Sequence, residues 1–284
     1  MLWEEIKSFL ESWFNYSGIA WHLIILALAV ALVFGGIWMA FYRQPRSSGA
    51  WPLGVMVFSA FFTVVAMAFV QLPLQYWVEE GMLNIWSRLT LNDWLLLAGL
   101  PTILIGGFVQ EGAKMVPMLA WWHGRRGLDP KMGLVIGAIA GFGFGVFEAF
   151  WVNAYVLGSG WDFDVIGQYG FVGIAPFFER FFTVGFHTAA SALAGYGLAK
   201  GRGWQFFLIA GGAHSLLNYS TLLYQKGHFT ITQVEIWIAV VAALATAAAV
   251  WLRYRKEEEE LLPPPQPIEP AAPAGPTETP IQPA

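Results

Sequence analysis

The sequence predicts an all-α fold, a polytopic membrane helix bundle of seven transmembrane helices. Three observations carry that expectation. Seven apolar stretches reach the roughly 20 residues that a bilayer requires. Of 284 residues, 57% are hydrophobic and 12% charged, about half the charged share of a soluble domain, and mean hydropathy is +0.55. Lys and Arg alternate between two sets of loops as seven crossings require.

The segment 1–18 comes first. Its apolar residues Leu2, Trp3, Ile6, Leu10, Trp13 and Phe14 recur at helical spacing, and Glu4, Glu5 and Glu11 deny it the basic start of a signal peptide. The pattern is that of an amphipathic helix lying in the membrane interface. The transmembrane bundle follows over 19–254, with spans expected at 20–42, 51–72, 94–122, 132–157, 171–199, 204–224 and 232–252. Trp and Tyr mark many of their ends, as interfacial aromatics do. One set of connections holds Arg43, Arg46, Arg125, Arg126, Lys131, Lys200, Arg202, Arg253, Arg255 and Lys256; the other holds Lys7, Arg88, Arg180 and Lys226. The excess of positive charge in the first set puts the N-terminus outside and the C-terminus in the cytoplasm. The last segment, 255–284, is rich in Pro, Ala and Glu, cannot bury a core, and reads as a disordered cytoplasmic tail.

Composition also excludes. There is no cysteine, so thiolate and disulfide chemistry are absent. No basic surface for nucleic acid is present, and the net charge of −4 comes largely from the run Glu257 to Glu260. The expected surroundings are a lipid bilayer, with the protein integral to a bacterial or archaeal plasma membrane.

Against this apolar background, Glu111, Glu148, His187 and His214 stand deep within spans, as does Lys114. A charge at the bilayer centre costs roughly 2.5–3.5 kcal/mol on insertion scales, so an intramembrane ionisable group reads as a functional site. Counted at about 1.5 Å per residue, Glu111, His187 and His214 all lie roughly 15–18 Å from the cytoplasmic ends of their helices. Asn218 is one turn beyond His214 on the same face, and Glu148 is deeper again. Any one of these side chains alone is as readily an interhelical hydrogen-bond partner, and Glu111 with Lys114 at i,i+3 is a candidate buried ion pair. Polar groups from four helices at similar depth point instead to one cavity. Gly137, Gly141, Gly143 and Gly145 let a neighbour approach closely. Pro117 and Pro176 mark kinks or starts. Glu179, Thr183, His187 and Ser191 form a ladder along one helix face.

The inventory removes several mechanisms. No Asp lies inside a span, so a paired-aspartate protease is excluded. There is no H-E-x-x-H or G-x-S-x-G. The seventh span has no Lys for a Schiff base. What remains is carboxylate, imidazole and amide, a set suited to water activation by a general base and to oxyanion stabilisation. Glu111, Glu148, His187 and His214 also suit a divalent metal such as zinc, although no tight ligand spacing argues for one.

Four stretches resemble a known family. Gln110-Glu111 with Lys114 resembles its E-E-x-x-K motif. Gly143 to Glu148 resembles its second, Phe/Gly-rich motif. His187 following Glu179-Arg180, and His214 with Asn218, resemble its third and fourth. Together they are similar to the PrsW and YhfC branches of the CAAX-protease and bacteriocin-processing superfamily, glutamate-dependent intramembrane endopeptidases. The resemblance runs from about Gly106 to Tyr224. It implies Glu111 as general base, His214 and Asn218 as oxyanion ligands, His187 and Glu148 as groups that orient water or serve as a second acid or base, and Lys114 as the partner that keeps Glu111 charged. Gln110 departs from the family's usual Glu pair; if the family's chemistry rests on the first Glu, this chain is an impaired or non-proteolytic relative. The expected activity is hydrolysis of peptide bonds in membrane protein or peptide substrates. The competing expectations are a proton-coupled membrane transporter and a non-catalytic membrane scaffold acting through the tail.

Overall fold

The computed structural model describes residues 1–42, 50–124 and 129–255. The expected tail lies outside the described residues except for Arg255, and so do Arg43, Arg46, Arg125, Arg126 and Lys256 of the topology argument. The residues up to Tyr254 form one compact unit. Its described regular structure is entirely helical, as the hydropathy and periodicity require.

Helix α1 spans Leu2–Phe14, α2 Trp21–Met39 and α3 Trp51–Ala66. A π-helical turn, Met67–Gln71, joins α3 to α4, Leu72–Leu83. Short helices α5 (Arg88–Asp93) and α6 (Leu95–Ala98) lead into α7, Leu100–Gly124. Then come α8 (Pro130–Gly158), α9 (Phe163–Tyr169), α10 (Phe171–Ala199), α11 (Gly203–Gln225) and α12 (Ile231–Tyr254). Asp129 caps α8, its Oδ2 accepting from the Met132 amide at 2.8 Å, with Pro130 at the first helical position where a missing N–H costs nothing. Gly170, at φ 57°, makes the turn from α9 into α10.

The expected second span, 51–72, runs on to Leu83. Pro73 lacks an amide proton, and the π turn just ahead of it absorbs the break without ending the helix. Six helical stretches among the described residues are long and apolar enough to cross a membrane: Trp21–Tyr42, Trp51–Leu83, Leu95–Gly124, Pro130–Gly158, Gly203–Gln225 and Ile231–Tyr254. Helix α10 has 29 residues, so its length suffices. Its glycines together with Thr183, His187, Thr188 and Ser191 hold its hydropathy down. Pro117 and Pro176 both lie inside continuous helices.

Helices α8 and α10 form the central pair, and α2, α3, α7, α11 and α12 pack around them. The pair fits because α8 presents glycine at every fourth position of one face. A Cβ on Gly137 would collide with the Ser191 carbonyl, and one on Gly141 with the His187 carbonyl. Gly145 continues the seam against Val184. Helix α2 pins α10 from outside, with Trp38 Nε1 donating to the Phe181 carbonyl at 2.8 Å. At the other end Trp13 of α1 is fully buried and stacks on Trp151 of α8 at 4.4 Å, and Trp151 Nε1 and the Tyr155 hydroxyl both donate to the Ser12 carbonyl at 2.8 Å.

Candidate active site

Glu111 and Lys114 occupy successive turns on one face of α7. Lys114 Nζ donates to Glu111 Oε1 at 2.6 Å. His214, delivered by α11, sets its Nδ1 2.8 Å from the same oxygen. Lys114 Nζ also lies 2.9 Å from His187 Nδ1 on α10, and His187 Nε2 lies 3.2 Å from Glu148 Oε2 on α8. Four helices thus meet in one bonded chain. Glu111, Lys114, His187 and His214 are 1, 0, 3 and 4% exposed, while the Glu148 side chain keeps 15%.

The bonds determine the tautomers. An ammonium only donates, so His187 Nδ1 accepts from Lys114 and the ring proton sits on Nε2, facing the Glu148 carboxylate. An ionised Glu111 only accepts, so His214 carries its proton on Nδ1. Aromatic rings cover the cluster. Phe144 stands edge-on to His187 at 5.1 Å and Phe186 edge-on to His214 at 5.5 Å, and Lys114 Nζ lies 5.6 Å above the Phe144 ring. Glu111 Oε2 is buried and has no hydrogen-bond partner. An orphaned acceptor in such a place is expensive unless a water or substrate group meets it.

Arg180 extends the chain. Its Nη1 donates to Glu148 Oε2 at 3.0 Å and its Nη2 to Glu179 Oε1. Counted above among the loop cations, it is in fact a buried residue within α10, 9% exposed. It therefore leaves the topology argument and joins Lys114 as a buried cation of the bundle. Its spacing of seven from His187 puts both on one helical face, a signal that was present in the sequence.

The structure leaves Asn218 outside this network. It lies one turn from His214 and is half-buried, and its side chain makes no hydrogen bond among the described residues; only its carbonyl is engaged, by Thr221 Oγ1 at 2.7 Å. Gln110 turns away from the cluster, its Nε2 donating to Gln71 Oε1 on the π turn at 3.2 Å. Gln71 continues to Gln75, whose Nε2 donates to the Thr102 carbonyl at 2.8 Å. Of the Gln110-Glu111 pair, then, the second residue faces the imidazoles. Of the ladder on α10, Thr183 bonds back to the Arg180 carbonyl at 3.2 Å and Ser191 packs on Gly141.

Glu111, His187 and His214 offer ligand atoms all within 4.8 Å of one another. One carboxylate and two imidazoles are a familiar set for catalytic zinc, and Glu111 Oε2 is free to serve. The set fits a divalent ion once His187 releases a neighbour, because its two nitrogens are engaged by Lys114 and Glu148. Glu148 is bonded to the far side of His187 and does not join the set.

No curated protein and no solved structure matches the chain. A family model described as PrsW family intramembrane metalloprotease matches residues 47–247, more than half of the chain, and that range contains every member of the cluster. With its apolar helices and its buried acid–imidazole site, the chain belongs to the PrsW family of intramembrane metalloproteases.

Proposed function

We propose that this protein is a seven-span endopeptidase that cuts membrane protein or peptide substrates with water activated by Glu111, and that it belongs with the PrsW and YhfC branches of the CAAX-protease superfamily. In this reading α10 crosses as the fifth span and completes the seven, the N-terminus is outside, the C-terminus is in the cytoplasm, α1 rests in the interface, and 255–284 is a disordered tail.

One observation carries the reading. Glu111 is held by Lys114 and His214 through one carboxylate oxygen and keeps the other oxygen buried and unpartnered. A water bonded to Oε2 gives its proton to Glu111 as its oxygen bonds to the scissile carbonyl carbon. Asn218, whose amide is uncommitted, donates to the oxyanion. His214 joins it through Nε2 when that nitrogen holds a proton. The C–N bond then breaks, and the proton held by Glu111 passes to the leaving nitrogen. Glu148 and Arg180 orient His187, and His187 with Glu111 holds Lys114 in place. Gln110 has no part in the step, because it faces the π turn.

A second reading has its own support in the free Oε2 and the two imidazoles. A divalent ion held by Glu111, His187 and His214 would supply Lewis-acid polarisation and a water of lowered pKa.

The test uses the purified full chain in liposomes with a co-reconstituted single-span substrate. Glu111→Gln and His214→Ala each abolish cleavage while the variants remain folded and inserted. Metal analysis and chelation separate the two readings: undiminished cleavage in metal-free protein supports Glu111 as base, and loss restored by zinc supports the ion. Cleavage by Glu111→Gln would sink both.

A further inference from the structure

Glu235 lies one turn into α12, is 5% exposed, and has an Oε2 with no hydrogen-bond partner. It lines a cavity of about 320 Å³ that it shares with Glu179 of α10. Ala175, Pro176 and Val234 supply apolar walls, and Tyr224 stands at the end of α11. Among the described residues the positive group within electrostatic reach is Arg180, and its guanidinium already serves both Glu148 and Glu179. Three carboxylates therefore share one cation, and Glu235 is the one without a bond to it. A buried carboxyl in that state is either neutral or met by a positive partner, and a cation brought into the cavity would pair with it.

The shape of the partner follows from the walls. Thr221, Tyr224 and Gln225 add oxygens to the two carboxylates, but Glu179 is already bonded to Arg180 and half of the lining is apolar, short of the cage of oxygens that a divalent ion wants. A Lys or Arg side chain offers a methylene stem for apolar walls and a cationic head for a carboxylate. We propose that this cavity receives a single basic side chain of the substrate, and that Glu235 is the residue that selects it. This assignment rests on the proteolytic reading, whose substrate class it narrows to membrane segments with a Lys or Arg near one flank.

Position follows as well. Glu179 and His187 are eight residues apart on α10, about 12 Å along the helix. An extended chain covers that distance in about four residues. A substrate segment lying extended along α10 would then be cut about four residues from the basic residue.

The experiment uses fluorescent single-span peptides that are identical except for Lys, Gln or Glu at one flank position. They are titrated against the full chain in nanodiscs, as wild type, Glu235→Gln, Glu235→Ala and Glu179→Gln, each checked for folding by its thermal unfolding profile. Wild type binds the Lys peptide about tenfold more tightly than the Gln peptide, in line with one charge-assisted contact, and binds the Glu peptide least. Glu235→Gln brings the Lys and Gln peptides to within about twofold, and Glu179→Gln reduces the preference in part. Equal binding of the three peptides, no binding, or a Lys preference that survives both Glu235 variants overturns the proposal. Competition by Ca²⁺ without any peptide preference assigns the cavity to a metal and overturns it too. Binding is read without cleavage, so a chain that binds the Lys peptide but never cuts it refutes the proteolytic reading and leaves the selectivity of the cavity standing.

Discussion

Glu111 and Lys114 face each other at 2.6 Å with almost no exposure on either side chain. Removing one member of such a buried pair costs about 3–5 kcal/mol, because the other charge is left behind. Lys114→Met is therefore expected to lower the unfolding midpoint sharply in detergent. The double variant Glu111→Gln/Lys114→Met removes both charges, recovers most of that stability and stays inactive. A double variant no more stable than Lys114→Met would mean that the pair is not coupled. Asn218→Ala tests a different matter. If its amide meets the oxyanion, kcat falls by about 10²–10³ with little change in KM and none in the unfolding midpoint. At this scale much of the site was legible in the sequence. An acid, a lysine and two histidines are conspicuous in apolar helices, whatever they do there. Arg180 is the exception: its charge fits the loop set, whereas its depth in α10 places it in the network.

Elements decide whether those side chains can meet. Helix α8 approaches α10 closely enough to seat His187 because Gly137 and Gly141 leave room for the backbone of the partner helix. Gly141→Ala places a methyl group against the His187 carbonyl, and backbone has no rotamer with which to yield. The expected loss is at least the ~1–3 kcal/mol typical of overpacking, together with loss of cleavage. Gly36→Ala and Gly212→Ala meet nothing within 4 Å and should be neutral or stabilising by up to ~1 kcal/mol. Similar losses in all three variants, measured by thermal unfolding, would remove the seam from the account. The spacing of these glycines was visible in the sequence, but not the helix they face. The π turn was not visible at all: an apolar run interrupted by Gln71, Pro73 and Gln75 reads as the end of a span, whereas Gln110 reaches across to make it part of the site's surroundings.

At the scale of the whole molecule, the absence of cysteine makes orientation directly measurable. A single cysteine at Arg202, in the turn between α10 and α11, is expected to react with an impermeant thiol reagent only from the cytoplasmic side. One at His228, between α11 and α12, is expected to react only from outside. Labelling of both from the same side would mean that α11 does not cross, and the reverse pattern would invert the topology. The same pair of turns brackets the proposed roles, with the cluster midway and the Glu235 cavity near the end that carries His228.

Composition and spacing were enough to establish a helical membrane bundle and to single out its unusual residues, because a bilayer penalises every polar group and so makes each exception conspicuous. They also marked α10 as long enough to cross, although the polar residues that make it interesting are the ones that depress its hydropathy. Which exceptions touch was decided only by packing. That Glu111 and not Gln110 meets the imidazoles, that Asn218 stands apart, and that Arg180 ties Glu148 to Glu179 depend on how α7, α8, α10 and α11 rotate about their axes. Helical periodicity sets the face a residue shares with its neighbours in the chain, whereas the helix that faces it is chosen by close packing across the bundle.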